Sequence, residues 1–224
     1  MDKHDIASQE LINDLYLINP DSIVVDVGAN YGIYTKFFLS RVNGSGHIYA
    51  IELEPGTFNY LSESLKNAGN LTLINCGVSN KSGFIDFYKH KNYHQMSRLT
   101  IGSEDNSNDY YLAGKINIDT LDNLLKDIQH ISLIKIDIEG EEYNAIDGMV
   151  DVLKRTDVIF YENHTENAWD KVAPILTKNE FLIFNIEERS RIYPNQNRPY
   201  QTVCFKSKKF EELKSRNINH WIFN

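Results

Sequence analysis

The chain is predicted to form an α/β fold with a mostly parallel central sheet. Short apolar runs alternate with helical periods along most of its length, the order that strand–helix–strand architectures produce. Two of the runs, 22–27 (SIVVDV) and 132–138 (SLIKIDI), are nearly continuous apolar segments, as strands covered on both faces require. The 224 residues, 42 % hydrophobic and 24 % charged, suffice for one domain with its own core and exclude wholesale disorder.

Taken in order, residues 5–18 carry Ile6, Leu11, Ile12, Leu15, Leu17 and Ile18 and read as a short amphipathic helix. Pro20-Asp21 breaks it. Residues 22–27 form a strand and 31–42 a helix; 46–52 form a strand and 55–67 a helix with Pro55 in its first turn. A third strand spans 71–78, and 83–89 (GFIDFYK) is a further strand or hairpin arm. Residues 90–113 are polar and rich in Asn, Ser, Asp and Tyr, a long irregular stretch of the kind that carries function. Then follow a short strand at 115–118, a helix at 121–128, a strand at 132–138 and a helix at 141–153. A strand at 157–161 and a helix at 166–177 precede two late strands, 182–187 and 201–206, joined by a polar turn region with Pro194 and Pro199. With no helix between them, these two should pair antiparallel at one edge. The domain layout is an N-terminal helix over 1–20, then a single domain over 21–224 with an insertion at about 90–113 on the substrate side.

The net charge of −8 argues against a nucleic-acid partner, because polyanion binding rests on phosphate neutralisation. No basic stretch followed by an apolar one marks a signal peptide, and the apolar run 131–138 is interrupted by Lys135 and Asp137, so nothing reads as a membrane span. Cys76 and Cys204 form no CxxC pair and read as reduced thiols of a cytoplasmic protein.

In parallel sheets ligands sit at the carboxyl ends of the strands. The first strand ends in Asp26-Val27-Gly28-Ala29-Asn30-Tyr31-Gly32. Its glycines allow a tight turn against a ligand at the next helix N-terminus. Asn30 and Ile33 stand where a dinucleotide fingerprint needs glycine, so NAD is the wrong ligand. An acid two residues before the first glycine suits an amino-bearing ligand, and Glu52, at the next strand end, can accept from a ribose diol. Together they read as a nucleoside site without phosphate, the shape of S-adenosylmethionine.

The segments VVDVGANYGIYT (24–35), IYAIELEPGTFNYL (48–61), INIDTLDNLL (116–125) and above all LIKIDIEGEE (133–142) resemble the FkbM family of class I S-adenosylmethionine-dependent methyltransferases, over about residues 20–190. The last is similar to that family's K-I-D-V-E-G-x-E signature. Leu53 departs from the family's usual proline. The resemblance implies a Rossmann-like class I methyltransferase fold: a seven-stranded, mostly parallel sheet with an antiparallel edge strand and helices on both faces. It also implies that Asp26, Gly28, Ala29, Asn30, Tyr31 and Gly32 surround the methionine part of the cofactor, with Tyr34, Thr35 and Asp137 closing that end. Glu52 would hold the ribose, with Leu53 under the adenine and Cys76, Gly77 and Val78 beside it.

A methyl transfer needs donor and acceptor held at attack distance, and a hydroxyl acceptor must also lose its proton. The candidates are Asp137, Glu139, Glu162 and His164 at two strand ends, with His164 or a carboxylate as general base. Asp137, Glu162 and Asn163 also resemble the oxygen ligands of metal-dependent catechol-type methyltransferases, which hold Mg²⁺. In the polar insertion, Tyr93, His94 and Arg98 are expected to contact the substrate, with Tyr110 and Tyr111 beside them; His90 reads as a polar surface residue or a substrate contact.

The function expected is therefore O-methyl transfer from S-adenosylmethionine to a small-molecule hydroxyl, a sugar or glycan first. The alternatives are a non-catalytic cofactor-binding protein and an RNA 2′-O-methyltransferase. The edge strands and first helix offer a surface for a homodimer.

Overall fold

The computed structural model describes residues 3–92, 107–164, 168–194, 196 and 199–223. Its centre is an eight-stranded sheet in the order β10-β9-β11-β8-β7-β1-β2-β3. The strands are β1 (Ile23–Val27), β2 (His47–Glu52), β3 (Leu71–Asn75), β7 (Ile131–Ile136), β8 (Thr156–Glu162), β9 (Phe181–Asn185), β10 (Ser190–Ile192) and β11 (Gln201–Lys206). β1 pairs in parallel with both β2 and β7, so the strand order reverses there. β11 lies antiparallel between β8 and β9. The expected edge strand is thus an inner one, and the unforeseen β10, from the polar turn region, becomes the edge and the eighth strand.

Side chains of successive strand residues alternate between two cores. On one face, α1 (Lys3–Asp14), α2 (Ile33–Leu39) and α8 (Ser207–Ser215) cover Val24, Leu133, Val158 and Val203. On the other, α4 (Leu121–Leu124), α5 (Glu142–Asp147), α6 (Val150–Lys154) and α7 (Trp169–Lys178) cover Val25, Ile134, Ile159 and Cys204. By parity, Asp26, Lys135, Asp137, Glu162 and Gln201 belong to the α1/α2 face.

The expected strand 71–78 is two. β3 stops at Asn75, and β4 (Gly77–Val78) joins a second sheet, in the order β4-β6-β5, with β5 (Gly83–His90) and β6 (Tyr110–Asp119). Their inner face, Phe87, Ile116 and Ile118, packs against Leu53. β6 extends back through residues expected to be irregular, and the Glu54–Lys89 ion pair at 2.6 Å ties β5 to α3 (Pro55–Ser64). Glu54 also caps α3, accepting from the Thr57 amide at 2.6 Å. The expected helix 141–153 breaks into α5 and α6 around Gly148, where a Cβ would lie 2.3 Å from the Ser79 carbonyl oxygen. That close approach fixes the segment after β4 against the main sheet.

Candidate functional site

The glycine loop after β1 is shaped by three residues with positive φ, Gly28 (+82°), Asn30 (+50°) and Gly32 (+82°). A Cβ on Gly28 would fall 1.8 Å from the Asp137 carbonyl oxygen; only glycine lets the loop and the end of β7 approach so closely. The Gly28 and Ala29 amides both donate to the Ile51 carbonyl at 3.0 Å, tying the loop to β2.

Glu52 is buried and clasped by backbone: Oε2 accepts from the Asn30 amide at 2.9 Å and Oε1 from the Glu54 amide at 2.8 Å. Burial raises its pKa, with the two amides opposing. A carboxylate offers about four lone-pair sites, so two stay available for a diol. Beside it, Val27, Gly28, Ile51, Leu53, Cys76, Val78, Ile138 and Glu141 line a narrow apolar crevice. The Cys76 thiol, pushed up to about 11 by burial, is inert wall. Tyr31 instead lies exposed on the outside of the loop, edge-to-face with Tyr60 at 5.3 Å.

Asp26 is fully buried. Its Oδ2 accepts from the Thr35 hydroxyl at 2.7 Å, so Thr35 orients Asp26 rather than closing the loop. Its Oδ1 is buried without a partner. Burial pushes this carboxyl up, with Lys135 opposing. An orphaned carboxylate oxygen below the glycine loop fits the amino-bearing ligand expected there.

Asp137, Glu139, Glu162 and His164 come together. His164 Nε2 lies 3.1 Å from Asp137 Oδ1 and 3.7 Å from Glu162 Oε2, and Nδ1 lies 3.8 Å from Glu139 Oε2. Tyr200 meets the imidazole edge-to-face at 5.7 Å. Glu139 reaches the ring because its backbone is left-handed (φ +53°) and Gly140 follows at +107°. Burial alone would lower the His164 pKa, but Asp137, Glu162, Glu142 and Glu139 outweigh it and push the ring up to about 11. These carboxylates favour the imidazolium form, which weighs against His164 as the expected general base. Asp137 opposes its own burial: Lys135 at 2.9 Å and His164 hold its carboxyl well below the usual range.

The expected metal set does not assemble. Asn163 follows Glu162 on the opposite strand face, is fully buried, and its Oδ1 accepts from the Tyr161 hydroxyl at 3.4 Å. His164 takes its place, so that Asp137, Glu162 and His164 offer atoms within 4.8 Å of one another. Both Asp137 oxygens already serve Lys135 and His164. A nitrogen donor and a doubly engaged carboxylate do not fit Mg²⁺, which demands an oxygen octahedron.

Two residues escaped the sequence reading. Lys135 reads as an interruption of an apolar strand, yet its buried ammonium sits at the centre of the charges, 4.4 Å over the Tyr34 ring. Glu142, the last residue of the LIKIDIEGEE segment, is fully buried and accepts from the Gly140 amide at 2.8 Å. Burial pushes it up to about 7. Of the expected substrate contacts, Tyr93, His94 and Arg98 lie outside the described residues. Tyr110 and His90 are both buried and meet edge-to-face at 5.0 Å, which withdraws them from the surface, whereas Tyr111 is half-exposed. Among the described residues no helix is long and apolar enough to cross a membrane.

A family model described as the methyltransferase FkbM domain matches residues 26–192. The hexuronic acid methyltransferase AglP of Haloferax volcanii is 26 % identical over 149 residues, 64 % of this chain and 56 % of that protein. The 2-O-methyltransferase NoeI of Sinorhizobium fredii is 22 % identical over 171 residues, 71 % of this chain and 70 % of that one. In fold, the chain is similar to a methyltransferase FkbM from Methylobacillus flagellatus, with a TM-score of 0.58, 16 % identity, and 84 % of this chain and 44 % of that one covered. A precorrin-6y C5,15-methyltransferase from Geobacter metallireducens follows at 0.51 and 15 % identity, with 92 % and 90 % covered. The chain thus spans about half the length of AglP and less than half of the Methylobacillus protein.

Proposed function

The chain belongs to the FkbM methyltransferase family, and from that membership we propose that it is an S-adenosylmethionine-dependent O-methyltransferase acting on a hydroxyl of a sugar or glycan. The observation that carries this reading is the gathering of the candidate residues at neighbouring strand ends. The apolar crevice, the clasped Glu52, the glycine loop and the carboxylates around His164 stand at the ends of β1, β2, β7 and β8. The names of AglP and NoeI, one a hexuronic acid methyltransferase and the other a 2-O-methyltransferase, support a sugar hydroxyl as acceptor.

S-adenosylmethionine, when bound, supplies a methyl group on a sulfonium that is already a good leaving group. The residues of the chain then divide the work. Leu53, Val78 and Ile138 would enclose the flat base, and the remaining lone pairs of Glu52 would accept from the ribose hydroxyls. Asp26 and Asp137 would give the amino and sulfonium charges an acidic surround. The imidazolium of His164 holds Asp137, Glu139 and Glu162 in one arrangement. Glu139 is the most open of the three, its side chain 32 % exposed. Its carboxylate would accept the acceptor hydroxyl's proton, while the bound cofactor would supply the methyl group and leave as the neutral thioether S-adenosylhomocysteine. Mg²⁺ has no part in this scheme, because the donor set does not suit it.

The test is release of S-adenosylhomocysteine from S-adenosylmethionine in the presence of glycosides and nucleotide sugars. Turnover with a sugar hydroxyl is expected, and Glu139→Gln should retain cofactor binding while losing turnover by about a hundredfold or more. Normal turnover in Glu139→Gln, or binding without transfer to any sugar, would overturn the assignment.

A further inference from the structure

The turn that presents Glu139 is an improbable piece of backbone. Glu139 sits at φ +53° and Gly140 at +107°. An L side chain rarely adopts the first, and such a conformation persists only where its surroundings over-determine it. Here the turn is what brings Glu139 Oε2 within 3.8 Å of His164 Nδ1.

One side chain fastens that turn. Glu142, the first residue of α5, is fully buried, and its Oε1 accepts from the Gly140 amide at 2.8 Å. The bond serves the turn rather than the helix, because Gly140 lies before the N-cap residue Glu141, whose own side chain makes no cap bond. Glu141 instead accepts from Asn144 Nδ2 at 2.7 Å. Burying a carboxylate at position 142 costs stability that an apolar side chain of similar size would not. What an apolar side chain could not supply is an acceptor for the Gly140 amide.

We propose that Glu142 is a positioning residue, whose bond to the Gly140 amide holds the left-handed turn and thereby aims the Glu139 carboxylate at the acceptor hydroxyl. The role rests on the reading of Glu139 as the base. Glu142 itself exchanges no proton with the acceptor, so its removal acts on turnover only through Glu139. General support of the start of α5 is the competing role, and it would act whatever residue stands at 139.

The experiment is a double-mutant cycle. Turnover is read as S-adenosylhomocysteine release with a glycoside that the unaltered protein methylates, and the affinity of each variant for S-adenosylhomocysteine is read by calorimetry. Glu142→Leu removes the acceptor and keeps the bulk. Its kcat should fall by about tenfold or more, the scale of a small misplacement of a reacting group, with the affinity held within about threefold. Glu142→Gln keeps an oxygen for the Gly140 amide and should hold kcat within about threefold. In a Glu139→Gln background, Glu142→Leu should cost less than about threefold further, because no base is left to aim. A further loss of about tenfold in that background overturns the positioning role, as does an unchanged kcat in Glu142→Leu alone. If Glu142→Leu fails to fold, Gly140→Ala takes its place in the cycle, since alanine at φ +107° is strained and disturbs the same turn. Normal turnover in Glu139→Gln alone is a separate result: it removes the base, and the positioning role with it. In the protein without ligand, exchange of the Gly140 amide hydrogen should quicken by about tenfold or more in Glu142→Leu and by less than about threefold in Glu142→Gln. Equal exchange in both variants and the unaltered protein would show that this bond does not hold the turn, and would overturn the proposal without any activity being measured.

Discussion

Replacing Gly28 by alanine tests the central contact of the site. At φ +82° an L side chain costs about 1–2 kcal/mol. The added Cβ would also lie 1.8 Å from the Asp137 carbonyl oxygen and 2.9 Å from its carbon. Those are backbone atoms of a central strand end, so relief requires moving the end of β7, for about 1–3 kcal/mol more. The sum, about 2–5 kcal/mol, corresponds to a melting temperature lower by about 5–20 °C for a domain of this size. Gly44→Ala is the control. Its φ of +61° carries the same backbone cost, but its Cβ would press on a side-chain atom of the surface, Asp21 Oδ1 at 2.9 Å, with the nearest backbone atom, the Pro20 carbonyl oxygen, at an ordinary 3.9 Å. Thermal melts of both variants, followed by titration with S-adenosylhomocysteine, give the comparison. Gly28→Ala should melt well below Gly44→Ala and bind about tenfold or more weakly, because Asp137 moves with its carbonyl. Equal melting temperatures and undiminished binding would refute the close-approach argument.

Three further outcomes are expected. Glu54→Ala should cost about 1–2 kcal/mol by removing the cap of α3 and the tie to Lys89. Burial opposes, but Lys89 and the α3 donors outweigh it and hold Glu54 at about 2. Its contribution, present above the unfolded value near 4.5, is therefore lost as pH falls towards 2, which acid melts would read. Glu142 has its folded value raised to about 7. Stability linked to it is complete below about 4.5 and falls as pH rises through 7, by up to about 3 kcal/mol. Denaturant titrations of Glu142→Gln should show that slope flattened, and an unchanged slope would contradict the assignment. Nuclear magnetic resonance of the His164 ring should show an imidazolium up to at least pH 9, whereas titration near 6.5 would restore it as a neutral base.

Much of this was legible in the chain. The continuous apolar runs placed β1 and β7 within a residue or two, because strands buried on both faces leave no alternative to apolar residues. The positions of the glycine loop and of Glu52 at strand ends were legible because glycines directly after an apolar run mark a tight turn. What escaped reading depends on partners distant in sequence. The break at Cys76 arises because β4 pairs with Ile118 and Asp119 of β6. The break around Gly148 arises from Ser79. α8 was missed because its sequence, SKKFEELKS, is polar apart from Phe210 and Leu213, which are spaced to reach the core. At the site, residue types were readable and their states were not. His164 becomes a cation only because carboxylates from the ends of β7 and β8 and from α5 converge on it. Asn163 fails as a ligand by strand parity alone, one position from a residue that succeeds.

The central claim is that the crevice, Glu52 and the glycine loop hold S-adenosylmethionine. Calorimetric titration of the folded protein with S-adenosylhomocysteine, alongside Glu52→Ala, tests it most directly. Micromolar binding by the unaltered protein that disappears in a folded Glu52→Ala variant is the predicted result. A folded protein that binds neither S-adenosylmethionine nor S-adenosylhomocysteine would contradict the account.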